Sequence, residues 1–81
     1  MSVPVLVATA EREVYRGDAD FLVAPGTAGE LGIMPNHTPL LSSLKPGELR
    51  IHLGDSSDDV FVSGGFIEVQ PDMITVLADS A

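Results

Sequence analysis

Three observations predict an all-β fold, a small sandwich or flattened barrel. Turn-forming residues recur about every seven to ten residues, the spacing of short strands joined by tight connections. With 8 Gly and 6 Pro in 81 residues, a long helix has little room. Apolar residues follow a helical period almost nowhere; the one window of helix formers, Ala10 to Val14, is too short to stand alone.

The elements follow in order. Val3 to Thr9 is β-rich and bounded by Ala10-Glu11-Arg12-Glu13. Val14-Tyr15-Arg16 is a second strand, ended by Gly17. Asp18 to Ala24 is a third, with Phe21 and Val23 on one face and Asp18 and Asp20 on the other period-two row. Pro25-Gly26-Thr27-Ala28-Gly29-Glu30 is a loop by composition. Leu31 to Met34 is a short strand, and Pro35-Asn36-His37-Thr38-Pro39 a second loop. Leu40 to Leu44 is extended and stopped by a Lys45-Pro46-Gly47 turn. Glu48 to Leu53 alternates, which puts Leu49, Ile51 and Leu53 inward and Glu48, Arg50 and His52 outward. Gly54-Asp55-Ser56-Ser57-Asp58-Asp59 is a polar hairpin loop. Val60 to Ser63 follows, broken by Gly64-Gly65, and Phe66 to Gln70 and Met73 to Leu77 form a last hairpin over Pro71-Asp72.

The chain reads as one domain over residues 1–81. A chain of this length buries roughly 60–65% of its unfolded surface, so its core is thin. It has no Cys for a disulfide, a zinc site or a thiol nucleophile. A hydrophobic fraction of 44% argues against disorder. The formal net charge is −8, from 12 Asp plus Glu against 4 Lys plus Arg. Arg12, Arg16, Lys45 and Arg50 cannot neutralise a nucleic-acid backbone, and an anionic membrane surface repels the domain. Two readings of the acidity stand: solubility alone, or a match to a basic protein surface. No basic leader precedes Val3, and no apolar run approaches the roughly 20 residues of a membrane span, so a soluble, cytosolic chain is expected.

Chemical motifs are few. Gly26-x-x-Gly29-x-x-Gly32 has the wrong spacing for a dinucleotide fingerprint and lacks the Gly-Lys-Ser/Thr of a P-loop, so its glycines are read as turn and close-approach residues. Asp55, Asp58 and Asp59 lack the alternating ligands of a calcium loop. His37 and His52 stand apart without a metal-site spacing, and Ser63-Gly64-Gly65 lacks the strand-to-helix elbow of a hydrolase. No catalytic residue, metal site or cofactor site is therefore expected. His52 is expected to face solvent. His37, between Pro35 and Pro39, is either a hydrogen-bonded structural histidine or an interface residue.

The unusual stretch is Gly29-Glu30-Leu31-Gly32-Ile33-Met34-Pro35-Asn36-His37-Thr38-Pro39-Leu40-Leu41, where rigid loops display a few side chains. Such loops lose less entropy on binding. This run resembles the signature of the epsilon subunit of rotary F-type ATP synthases. The resemblance extends through Leu44-Lys45-Pro46-Gly47, through Val62-Ser63-Gly64-Gly65-Phe66-Ile67-Glu68-Val69 and through Thr75-Val76-Leu77-Ala78-Asp79. It also takes in Val7-Ala8-Thr9-Ala10-Glu11-Arg12 and Val14-Tyr15-Arg16-Gly17, so it covers essentially the whole chain in order.

The resemblance implies the amino-terminal domain of that subunit, a flattened β-sandwich of about ten short strands. It implies a non-catalytic rotor part of the central stalk, bound to the gamma subunit and resting on the ring of c subunits, where it couples proton flow to ATP synthesis. It would lie peripherally at the cytoplasmic face of the cell membrane, a chloroplast thylakoid being the lesser expectation. The lack of a transit peptide disfavours a nuclear-encoded organelle protein but leaves a chloroplast-encoded one open. By similarity Glu30, Leu31 and Gly32 meet the polar loops of the c-ring, and His37, Thr38, Ser42 and Thr9 face gamma. The family continues into an α-helical hairpin that regulates hydrolysis and in some members binds ATP. The sequence stops at Asp79-Ser80-Ala81, so ATP binding is not expected of it, and a cut at the domain boundary is expected over a natural short form. Two other readings compete: a lipoyl or biotinyl carrier, for which Lys45 is the sole lysine, and a generic β-sandwich adapter.

Overall fold

A computed structural model describes residues 1–80 of the chain, so the final residue of the expected 1–81 domain lies outside the described residues. Nine strands run in chain order: β1 (Val3–Ala8), β2 (Glu13–Ala19), β3 (Phe21–Gly26), β4 (Gly29–Ile33), β5 (Leu40–Leu44), β6 (Gly47–Leu53), β7 (Ser56–Val62), β8 (Gly65–Gln70) and β9 (Met73–Ala78). The nine strands are those read from sequence in number and order, but the run from Asp18 to Ala24, read as one strand, is split. Asp18 and Ala19 end β2 by pairing with β1, the chain bends at Asp20, and β3 begins at Phe21. The tenth strand suggested by the resemblance is not present among the described residues.

One hydrogen-bonded path, β2-β1-β9-β8-β5-β3-β6-β7 with β4 on β3, folds over into two layers. The first layer is β2-β1-β9-β8-β5, in which β1 and β9 pair in parallel and the other neighbours are antiparallel. The second is β4-β3-β6-β7, antiparallel throughout. They meet at a single register position, Gly26 opposite Leu44. There the Lys45 N–H donates to the Pro25 carbonyl at 2.9 Å and the Thr27 N–H to that of Ser43 at 3.2 Å. The Lys45-Pro46-Gly47 segment is thus a corner between sheets and not a hairpin turn. The opposite corner is closed by the Asp20 N–H on the His52 carbonyl at 2.8 Å and by the Gly54 N–H on Asp20 Oδ2 at 2.8 Å. The overall extents, 29 × 22 × 18 Å, are those of a flattened two-layer body.

Among the described residues the core is entirely apolar. Val5, Val7, Ile67, Val69, Ile74 and Val76 from the first layer meet Leu22, Ala24, Ile33, Leu49, Ile51 and Val62 from the second. β-Branched residues dominate, as a pleated surface packed on one side favours. Three local expectations change. Gly17 lies inside β2, because an edge strand tolerates glycine and β1 pairs with it throughout. The loops read at 25–30 and 54–59 shrink to two-residue turns at Thr27-Ala28 and Gly54-Asp55, with strand pairing absorbing the rest. Leu53, expected inward, is 45% exposed, since β6 runs past the edge of the opposing layer before the Gly54 turn.

Candidate functional interface

Two binding elements grow out of this frame. The first is the β3–β4 hairpin. Gly26 is buried, and a side chain there would strike the Gly29 carbonyl oxygen at 2.6 Å, so this tight turn requires glycine. Gly29 follows at φ 136°. The tip is held to β5 by a 2.8 Å hydrogen bond between the hydroxyls of Thr27 and Ser43. On this braced hairpin Glu30 stands exposed opposite Pro25, Leu31 packs half-buried on the core, and Gly32 is exposed over the Phe21 ring. A charge on a rigid hairpin can meet a partner without first being ordered.

His37 and Thr38 lie in the loop that enters β5. Asn36 supplies a left-handed turn at φ 63°, and the His37 N–H donates to the Met34 carbonyl at 3.2 Å. His37 is half-buried, and its Nδ1 lies 2.6 Å from the Thr38 carbonyl, which holds the ring in place. It is not a core histidine. Ser42 sits in the register row of Ile67, Val76 and Val7, half-buried, with its hydroxyl donating to the Ser43 carbonyl at 3.2 Å. Thr9 caps the β1–β2 connection, its Oγ1 accepting from the Glu11 and Arg12 N–H groups at 3.2 and 3.3 Å.

The register separates these residues. Ala8, Leu77, Phe66 and Ser43 share one level across the first layer, so Thr9 and the β3–β4 tip lie at the same end of it, three strands apart. The His37 loop leaves from the other end, beside Met1, whose sulfur accepts from Asn36 Nδ2 at 3.8 Å. Glu30, Leu31 and Gly32 form one group, His37 and Thr38 another, and Thr9 and Ser42 stand alone.

The second element is a surface that the motif search missed. The outward side of β1, β9, β8 and β5 carries Leu41, Phe66 and Leu77 at 71%, 56% and 53% exposure, with Leu6, Ala8 and Met73 half-buried beside them. A shallow depression of about 260 Å³ opens at its margin, lined by Pro39, Leu40, Leu41, Glu68, Val69 and Gln70. The outward side of the other layer is different: Glu48, Arg50, His52 and Asp59 flank Phe21 and Phe61. His52 is half-buried there, tilted against the Phe21 ring with centroids 5.9 Å apart. The signal was in the sequence: Val3–Ala8, Leu40–Leu44 and Met73–Ala78 carry apolar residues on both period-two rows and no charge on either, which marks strands covered on both faces.

Little here resembles a reaction centre. Among the described residues no group of three or more His, Asp or Glu side chains is placed to hold a metal ion. Among the described residues Tyr15 is the one shifted titratable group: partial burial pushes its hydroxyl pKa above 10.0, and Asp58, which accepts its hydrogen bond at 3.4 Å, and Asp18 add to the rise. Lys45 stands at the sheet corner and not on a hairpin tip, which removes the geometric basis of the carrier reading. Among the described residues no helix is long and apolar enough to cross a membrane.

Comparison with known proteins points one way. The family model described as ATP synthase, Delta/Epsilon chain, beta-sandwich domain matches residues 2–81. The ATP synthase epsilon chain of Acidithiobacillus ferridurans is 58% identical over all of this chain and 57% of its own length. That of Laribacter hongkongensis is 57% identical over 95% of this chain and 56% of its own. The chain thus spans a little over half the length of these relatives. Among solved structures, a chain of the Euglena gracilis mitochondrial ATP synthase (OSCP/F1/c-ring) superposes with a TM-score of 0.89 at 18% identity, over 98% of this chain and 51% of that one. A chain of the Tetrahymena thermophila mitochondrial ATP synthase central stalk/c-ring superposes with a TM-score of 0.68 at 26% identity, over 95% and 64% respectively.

Proposed function

The chain belongs to the family of ATP synthase delta/epsilon chain β-sandwich domains, and on that premise we propose that it is a non-catalytic part of the rotor's central stalk. It binds the gamma subunit, rests on the polar loops of the c-ring, and helps couple proton flow to ATP synthesis. Its place is peripheral, at the cytoplasmic face of the cell membrane. It needs no cofactor and binds no ATP by itself.

The observation that carries this reading is the contrast between the two layers. Leu41, Phe66 and Leu77 stand out on a nearly uncharged face, and such a face on a small domain marks a protein contact. Gamma is the partner assigned to it. The braced hairpin with Glu30 is a separate, polar contact suited to cationic groups on the c-ring loops, which gives part of the −8 charge a use.

The test is a binding titration with the gamma-bearing catalytic head, paired with assembly onto c-ring membranes. Leu41→Asp should lower gamma affinity by about 2 kcal/mol or more, while Glu30→Lys should leave gamma affinity intact and weaken membrane assembly. His37→Ala should shift melting by less than about 1 kcal/mol, because its ring makes one local, exposed hydrogen bond. Normal assembly and coupling in both Leu41→Asp and Glu30→Lys would refute the proposal.

A further inference from the structure

The four adjacent strands β1, β9, β8 and β5 contain one ionisable side chain, Glu68. The whole chain has 12 Asp plus Glu and 4 Lys plus Arg, so this scarcity is local. Register puts Glu68 between Leu41 of β5 and Thr75 of β9, one level from Phe66 and Leu77, near the middle of the apolar face. It is exposed, and among the described residues it has neither an ion-pair nor a hydrogen-bond partner. The nearest cation along its row is Arg16, beyond Leu6 at the far edge, and that guanidinium is already held by Glu13 at 2.9 Å.

A carboxylate in this position constrains what can cover the face. A wholly apolar partner would strip its water and leave a buried charge uncompensated, a cost that exceeds the gain from the surrounding leucines. The shallow depression beside it is lined by Leu40 and Leu41 together with Glu68. That shape suits a long cationic side chain, with its methylenes on the leucines and its head on the carboxylate.

Resting on the reading that this face docks gamma, we infer that the gamma segment seated there presents a lysine or arginine to Glu68, and that this pair sets the register of docking. The leucines and Phe66 supply unspecific attraction over the face. Glu68 selects the one alignment in which the partner's cation lands in the depression.

The experiment is calorimetric titration of the gamma-bearing catalytic head with the chain and three variants. Glu68→Gln, isosteric and uncharged, is expected to bind at least about tenfold more weakly, and Glu68→Lys about a hundredfold. Reversal of one gamma cation to glutamate should recover the binding of Glu68→Lys and so identify the partner residue. Both variants should melt as the parent does, because the exposed Glu68 carboxylate makes no hydrogen bond or ion pair among the described residues; should Glu68→Lys fail to fold, Glu68→Gln decides alone. Affinities of Glu68→Gln and Glu68→Lys within about twofold of the parent, with Leu41→Asp unable to bind, would overturn the ion pair and leave the docking face standing. Parental affinity in Leu41→Asp would instead remove the docking reading, and the pair with it.

Discussion

At the residue scale, the glycines divide into those that are tolerated and those that the fold demands. Gly65 is the extreme case. Its φ of 132° is closed to ordinary L-residues, and a Cβ would lie within van der Waals contact of the Leu77 carbonyl oxygen. The clash is with backbone, in the strand β9 that pairs with β8, so no rotamer change relieves it. Gly65→Ala should cost about 3 kcal/mol or more, measured as a lower urea midpoint with an unchanged slope. Gly54 is the contrast: at φ 59° a side chain there meets open space, so its substitution carries only the backbone penalty. The sequence paired Gly64 and Gly65 as a strand break, which located the feature. The reason for it, a close approach by Leu77, needed the β8–β9 register.

At the element scale, the hydrogen-bonded path ends on β2 and β7, and a side-chain hydrogen bond ties these two ends: the Tyr15 hydroxyl on Asp58 Oδ2. Burial, then the Asp58 and Asp18 carboxylates, hold that hydroxyl protonated past its ordinary 10.0 in the folded state. The unfolded chain therefore releases this proton first as pH rises. The stabilisation is present in full below about pH 10 and is lost as pH climbs through the raised folded value. Urea titrations across pH 9 to 12 should show stability falling in the parent, and the part due to this group missing in Tyr15→Phe. A parent and variant with parallel pH profiles would mean that the contact does not persist in solution. The strands themselves were legible from turn residues and alternation. Their ends at Gly17, Thr27 and Gly54 were not, because cross-strand pairing extended β2, β3, β4 and β7 into polar and glycine-rich segments with weak intrinsic preference.

At the scale of the whole molecule, charge and apolar surface are segregated. The charge-poor face of β1-β9-β8-β5 is where a partner is proposed to sit, while every other acid than Glu68 lies on the edge strand β2, on the second layer or in the loops. A net charge of −8 acts at a distance and the apolar face only on contact. Association with a basic partner should accordingly slow by roughly tenfold between low salt and ~0.5 M NaCl, with dissociation changing much less. Stopped-flow mixing at several ionic strengths checks this. A salt effect confined to the dissociation rate would place the acidity inside the contact and not around it.

The sequence by itself determined the fold class, the order of the strands, the absence of thiol chemistry and the family. These rest on local composition and on motifs whose order along the chain is enough. It also named candidate residues one by one, but could not say that Thr9 and His37 leave opposite ends of one layer, or that Ser42 points along the core row of Ile67 and Val76. Only the tertiary structure decided that Lys45-Pro46-Gly47 turns a corner between sheets, and that β1 and β9, far apart in the chain, lie side by side in parallel. That last pairing assembles the apolar face around Glu68. No local rule contains it, because the four strands that build the face come from both ends and the middle of the chain, and only the pairing of their backbones brings them to one surface.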